Sequence, residues 1–136
     1  MTAGEERLRF GYAIIYVPDV EATISFWERA FGLKRRMVVE GGEYGELETG
    51  ATRLAFAAEY MAGRHGFAIR PNRPREDPAG FEVALVTENV QAVFDRAVAA
   101  GAEPASKPSE KPWGQTVAYV RDLNGVIVEL CSPLSE

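Results

Sequence analysis

The chain has 136 residues, about the length of one domain, and 46% of them are hydrophobic, which excludes extended disorder and a second catalytic domain. Twenty Asp and Glu residues against 15 Lys and Arg residues give a net charge of −5, which argues against nucleic acid and anionic membranes as partners. One cysteine and one histidine exclude an internal disulfide and a Cys/His zinc site.

The first ten residues, MTAGEERLRF, are charged where a secretory leader would be apolar. The single cysteine, Cys131, fits a reducing compartment, so we expect a cytoplasmic protein. The apolar run FGYAIIYV at 10–17 follows and stops at Pro18, which predicts a largely buried strand. This run is far shorter than the ~18 residues of a membrane span, so we expect no membrane partner.

A helix is predicted after this strand. The Asp19 carboxylate is suited to cap its first turn, and Gly32 is suited to end it in the left-handed conformation. Apolar residues recur at helical spacing between these two caps, namely Val20, Ile24, Trp27 and Phe31. We expect Trp27 and Phe31 to lie in the core.

Three short strands are predicted next, near 35–40, 43–49 and 52–58, with glycine turns between them. The second half repeats this order, with a strand at 82–87, a helix between Asn89 and Gly101, and three more strands. Those strands lie near 103–107, 115–121 and 126–132, and the last two are joined by a turn at 122–125.

The two helix caps of the second half follow their counterparts by 70 and 69 residues. This spacing indicates an internal duplication, and two unrelated units of ordinary length are the alternative. We expect one domain, 1–136, with a first module at about 8–58 and a second at about 81–133. The segment 59–80 between them is rich in Gly, Pro and Arg, which favours a linker over a lid on a binding site.

The segments YVPDVEATISFWERAFGL, LETGATRLAFA and PWGQTVAYVRDLNGVIVELCSP, in this order, resemble the vicinal oxygen chelate superfamily. That superfamily contains glyoxalase I, bleomycin resistance proteins and extradiol dioxygenases. The resemblance implies an α+β fold in which two βαβββ modules form a curved mixed sheet around a cavity, and it implies a homodimer. It is specific for the fold and not for the reaction, since one scaffold carries many activities.

Metal-dependent members of this superfamily hold their ion with side chains on the first and last strand of each module. The matching positions here are Tyr12, Ala55, Glu82 and Glu129. Stable zinc or iron sites have three or four donors, whereas two carboxylates suit a weakly held hard cation. We therefore expect no cofactor, and a weakly bound divalent ion at Glu82 and Glu129 is the alternative. His65, in the linker, matches none of the four positions.

Strand alternation places Glu82 and Glu129 on apolar faces. If both enter one cavity, burial and mutual repulsion should raise at least one pKa, which makes them candidate acid and base groups. The alternative is a structural ion pair with Arg53, which lies on the same side of its strand as Ala55. Cys131 is expected to be a buried, inert thiol, because no base is near it in the sequence.

Aromatic residues complete the predicted ligand site. Tyr12 and Tyr16 share a strand face, and Trp113 is placed near the cavity mouth, although Trp113 as ordinary core is the alternative. Such a cavity suits flat organic molecules, including cationic ones.

Three functions are compatible with these residues. The first is metal-independent binding of a small organic molecule, as in the bleomycin resistance branch. The second is an enzyme of the same fold, a lyase, isomerase or dioxygenase, that uses Glu82 or Glu129 as a base or metal ligand. The third is a dimeric interaction module whose cavity is filled by its own side chains.

Overall fold

The computed structural model describes residues 6–134. The charged start used above to predict a cytoplasmic protein includes residues 1–5, which lie outside the described residues. The strands and helices follow in the order β1 (Tyr12–Val17), α1 (Val20–Phe31), β2 (Arg35–Val38), β3 (Tyr44–Leu47), β4 (Arg53–Ala58), α2 (Tyr60–Arg64), β5 (Glu82–Val86), α3 (Val90–Ala99), β6 (Glu103–Glu110), β7 (Thr116–Arg121) and β8 (Ile127–Cys131).

Each half of the chain forms one four-stranded mixed sheet, and the two sheets have the same strand order. These orders are β1-β4-β3-β2 and β5-β8-β7-β6. In both sheets the first strand pairs parallel with the last, and the other pairs are antiparallel. The α+β class and the repeated βαβββ modules are therefore confirmed. The two sheets do not close on each other, so β1 and β5 are edge strands.

The predicted caps fix the helix starts in both modules. The Asp19 carboxylate accepts a hydrogen bond from the Ala22 N–H at 2.9 Å, and the Asn89 side chain accepts one from Ala92 at 3.0 Å. Gly32 ends α1 with a φ of 71°, a conformation that favours glycine. In the part of the chain that the structure describes, no helix is long and apolar enough to cross a membrane.

The two modules share one hydrophobic core and are joined by buried polar contacts. Trp27, on α1, is fully buried, and its indole N–H donates to the Asp122 carboxylate of the second module at 3.0 Å. The Asn124 side chain, in the same β7–β8 turn, donates to the Thr23 hydroxyl at 2.9 Å. These contacts orient the second module on the first because buried polar groups need defined partners.

Asp122 is only 3% exposed and organises its own turn as well. Its carboxylate accepts from the backbone N–H groups of Asn124 and Val126 at 2.8 and 2.9 Å. Burial raises the pKa of Asp122, although these hydrogen bonds and the one from Trp27 oppose the effect. The predicted turn is therefore confirmed, and its first residue also links the modules.

The segment between the modules is ordered by its own contacts and begins with α2, a helix that the sequence did not predict. The Arg73 guanidinium binds both oxygens of the Glu59 carboxylate at 2.6 and 2.9 Å. Arg121, on β7, donates to the backbone carbonyls of Arg73 and Glu76. These Arg121 contacts fasten the segment to the second module, and Arg64 of α2 fastens it to the first by donating to the Glu43 carboxylate at 2.8 Å.

Candidate functional site

The face of the first sheet that lies opposite α1 carries four of the predicted site residues. Tyr12 pairs in register with Arg53, and Tyr16 lies on the same side of β1 as Tyr12. Ala55 lies on this face too, since it follows Arg53 by two residues. Tyr12 is 55% exposed, whereas Ala55 is fully buried.

A carboxylate that the sequence analysis missed lies beside Ala55. Glu46, on β3, is the cross-strand partner of Ala55 and is only 8% exposed. Its carboxylate accepts from Arg36 Nε at 3.1 Å and from the Tyr44 hydroxyl at 2.7 Å. The third group around this carboxylate is Arg53, whose Nη1 lies 3.7 Å from Glu46 Oε1. The signal in the sequence was strand alternation, which places Tyr44 and Glu46 on one face.

This arrangement gives the first face a positive charge and changes one expectation. Arg53 was considered as an ion-pair partner of Glu82 and Glu129, but the structure pairs it with Glu46. Burial raises the pKa of Tyr44, and its hydrogen bond to Glu46 raises it further, so the phenol stays protonated. Two guanidinium groups around one carboxylate leave an excess of positive charge.

The acidic pair lies together on the second sheet. Glu129, on β8, is the cross-strand partner of Ala84, which is two residues from Glu82 on β5. The Tyr119 hydroxyl donates to Glu129 Oε1 at 3.0 Å, and burial with this contact raises the pKa of Tyr119 to about 12. Burial, followed by a hydrogen bond and repulsion from Glu129, raises the pKa of Glu82. The pair can therefore retain a proton above the usual carboxyl range.

Cys131 lies on the same face as Glu129 and is buried, as expected. Burial raises its pKa, and the neighbouring Glu129 raises it further. The thiol is therefore a poor nucleophile at neutral pH.

The donor set does not fit a zinc or iron ion. Of the four positions that match metal ligands in the resembling family, only Glu82 and Glu129 carry a carboxylate. Among residues 6–134 there is no group of three or more His, Cys, Asp or Glu residues that could hold a metal. Glu46 does not supply the missing donor, because Arg36 and Arg53 already neutralise it.

Cavities open around the predicted site residues, including one of about 200 Å³ beside Tyr16. One of about 650 Å³ lies between the modules and is mainly apolar, with Arg53 and Glu82 among its polar walls. A pocket of about 160 Å³ shares Arg53 with it, and another of about 280 Å³ shares Glu82. The first cavity is lined by Ala13, Phe31, Leu33, Thr49, Thr52, Arg53, Leu54, Glu82, Val83, Ala84, Leu85, Val86, Thr87 and Val93. Phe31, expected in the core, is only partly buried.

The remaining predicted aromatic residues, Tyr16 and Trp113, each contact another side chain. Tyr16 packs edge-on against Phe67 of the connecting segment, with ring centroids 6.1 Å apart. Trp113 is 63% exposed in the turn before β7, and its indole N–H donates to the Gln115 side chain at 2.9 Å. Trp113 as ordinary core is therefore wrong. His65, just after α2, is exposed.

Comparison with known proteins gives the family and the fold. A family model described as Glyoxalase/Bleomycin resistance protein/Dioxygenase superfamily matches residues 9–130. A glyoxalase-related enzyme from Fulvimarina pelagi is 21% identical, with a TM-score of 0.79 over 92% of this chain and 88% of that one. A glyoxalase/bleomycin resistance protein/dioxygenase from Nocardioides is 20% identical, with a TM-score of 0.70 over 98% and 88%. No curated protein matches the sequence.

Proposed function

Because the chain belongs to the Glyoxalase/Bleomycin resistance protein/Dioxygenase superfamily, we propose that it binds a small organic molecule without the help of a metal ion. The ligand occupies the cavity of about 650 Å³ between the modules, where Arg53 and Glu82 are the charged groups. A mainly apolar cavity of this volume with few polar groups is typical of small-molecule sites.

The observation that carries this proposal is the replacement of metal donors on the first sheet. Ala55 has no donor atom, and the neighbouring Glu46 carboxylate is held by Arg36 and Arg53. A divalent cation placed beside Glu46 would face two guanidinium groups, which repel it at short range. Organic ligands with polar groups do not meet this barrier.

We also propose that the protein acts as a homodimer in which a second copy covers the exposed sheet faces. Tyr12 and Ile14 on β1 and Val86 on β5 are large apolar side chains that a single chain leaves exposed. A partner copy buries them and narrows the ligand cavity. Sedimentation of the purified protein as a monomer at micromolar concentration would contradict this part of the proposal.

The experiment combines metal analysis with ligand screening. Purified protein is analysed for bound metal, treated with a chelator, and then screened by thermal shift against a library of aromatic and aliphatic molecules. We expect substoichiometric metal and ligand-induced stabilisation that the chelator does not abolish. Stoichiometric metal, or stabilisation that is lost with the metal, would refute metal independence.

Variants test the site itself. Glu82→Gln should change the affinity of any ligand found, because Glu82 is a charged wall of the cavity. Glu88→Gln removes an exposed carboxylate just after β5 and is the matched control. Equal affinities for the two variants and the parent would place the ligand elsewhere, and consumption of the ligand during incubation would favour the enzyme alternative.

A further inference from the structure

The pocket of about 160 Å³ on the face of the first sheet has an unusual charge for this protein. It is lined by Arg9, Gly11, Tyr12, Arg36, Glu46, Ala51 and Arg53. Three of these residues carry a positive charge and one carries a negative charge, in a chain whose net charge is −5. Glu48 lies near the pocket, with Oε2 3.9 Å from Arg36, so the local balance is still positive. Such a concave positive site attracts anions.

The buried carboxylate holds the guanidinium groups in place and leaves donors unused. Glu46 engages Arg36 through Nε and Arg53 through Nη1, while Arg53 Nε donates to the Gly50 carbonyl at 2.9 Å. Each guanidinium has five N–H groups, so both arginines retain donors for a ligand. The Glu46 side chain is only 10% exposed and makes these contacts within the protein itself. The two guanidinium groups are therefore held in position before any ligand binds. Pre-organised arginine forks are suited to carboxylate and phosphate oxygens.

The size and position of the pocket define what kind of anion fits. A volume of about 160 Å³ corresponds to about five water molecules, enough for one carboxylate or phosphate group with residual water. Arg53 lines both this pocket and the apolar cavity of about 650 Å³. An anionic group in the pocket can therefore belong to a molecule whose apolar part lies in the cavity.

We infer that the ligand is an organic acid or phosphate ester whose anionic group binds Arg9, Arg36 and Arg53 in this pocket. The inference rests on the proposed function and specifies its ligand class. It replaces the expectation of a cationic ligand, which was based on the acidic pair together with the aromatic residues. Both carboxylates lie on the other sheet, where Glu82 lines the cavity and a separate pocket and Glu129 lines neither.

The test uses three probes that differ in charge and little in shape. Benzoate, phenyl phosphate and the neutral benzamide are titrated into the intact protein by calorimetry, with inorganic phosphate as a fourth probe. We expect one of the two aromatic anions to bind at least tenfold more tightly than benzamide, and its affinity to fall as salt is added. Preference for benzoate or for phenyl phosphate distinguishes a carboxylate ligand from a phosphate ligand. Inorganic phosphate shows how much affinity the phosphate group provides without the aromatic ring.

Variants connect binding to the pocket. Arg9→Gln removes an exposed guanidinium and should weaken the preferred anion about threefold to tenfold. Arg75→Gln removes an exposed arginine of the connecting segment and should leave the affinity unchanged. Arg36→Lys keeps the charge but loses the planar fork, so it should also weaken binding, and circular dichroism shows whether it folds.

Failure of this inference is distinguishable from failure of the proposed function. Equal binding of benzamide and benzoate, no binding of either anion at millimolar concentration, or unchanged affinity in both Arg9→Gln and Arg36→Lys overturns the anionic pocket. A neutral molecule that binds under chelator in the screen would then still support the proposed function. Conversely, anion binding that requires a metal would refute metal independence and also overturn the pocket, because no metal takes part in it.

Discussion

Replacing Trp27 with phenylalanine should destabilise both modules together, because its indole N–H is hydrogen-bonded to Asp122 across the module boundary. A buried hydrogen bond to a charged group contributes about 1.5–3 kcal/mol. The smaller ring also leaves a void of roughly 40 Å³, which adds ~1 kcal/mol at about 24 cal/mol per Å³. We therefore expect the free energy of unfolding to fall by about 3 kcal/mol, which corresponds to a Tm lower by about 10 °C.

The assay is urea unfolding followed by circular dichroism, with calorimetry for the Tm. Trp113→Phe makes the same substitution at an exposed indole and should change the free energy of unfolding by less than about 0.5 kcal/mol. A double-mutant cycle with Asp122→Asn separates the hydrogen bond from the void and should give a coupling energy of about 1–2 kcal/mol. Coupling below about 0.5 kcal/mol, or equal effects at Trp27 and Trp113, would refute the assignment.

Two further predictions concern packing and titration. A Cβ on Gly45 would lie 2.5 Å from the Ile24 Cδ1, so Gly45→Ala should lower the free energy of unfolding in urea by about 1–3 kcal/mol. The control is Gly63→Ala, where a Cβ would have nothing within 4 Å. This variant should not lower the free energy of unfolding by more than about 0.5 kcal/mol. The pKa of Glu82 is raised in the folded state, so its contribution to stability declines as the pH rises from its unfolded pKa of about 4.3 through the folded value. The Tm of Glu82→Gln should therefore gain on that of the parent as the pH rises above about 4.3, and a constant difference would contradict the raised pKa.

The sequence predicts those parts of the fold that depend on neighbouring residues. Asp19 and Asn89 cap helices by accepting a hydrogen bond from the backbone N–H three residues later, and Gly32 ends a helix by its own backbone conformation. That the strands form mixed sheets followed from the resemblance, whereas the caps followed from the residues themselves. These features require no knowledge of contacts between distant parts of the chain, and each is found where the sequence analysis put it.

The parts that the sequence did not predict depend on distant contacts or on weak local signals. Trp27 was expected in the core, but its partner lies 95 residues away and was interpreted only as a turn residue. Glu46 lies in a four-residue strand, where a charged residue usually faces solvent, and its arginine and tyrosine partners explain its burial. The helix α2 has five residues and no apolar stripe, so the Gly-rich and Pro-rich composition around it obscured it.

The hydrogen bond from Trp27 to Asp122 has no counterpart at the equivalent helix position of the second module. The residue 70 positions after Trp27 is Ala97, also fully buried but without a polar atom to offer a neighbouring turn. The two repeats are therefore no longer interchangeable, since one supplies the donor and the other the acceptor. A protein assembled from two identical copies of either module would lack one half of this hydrogen bond, so each module depends on the other to complete it.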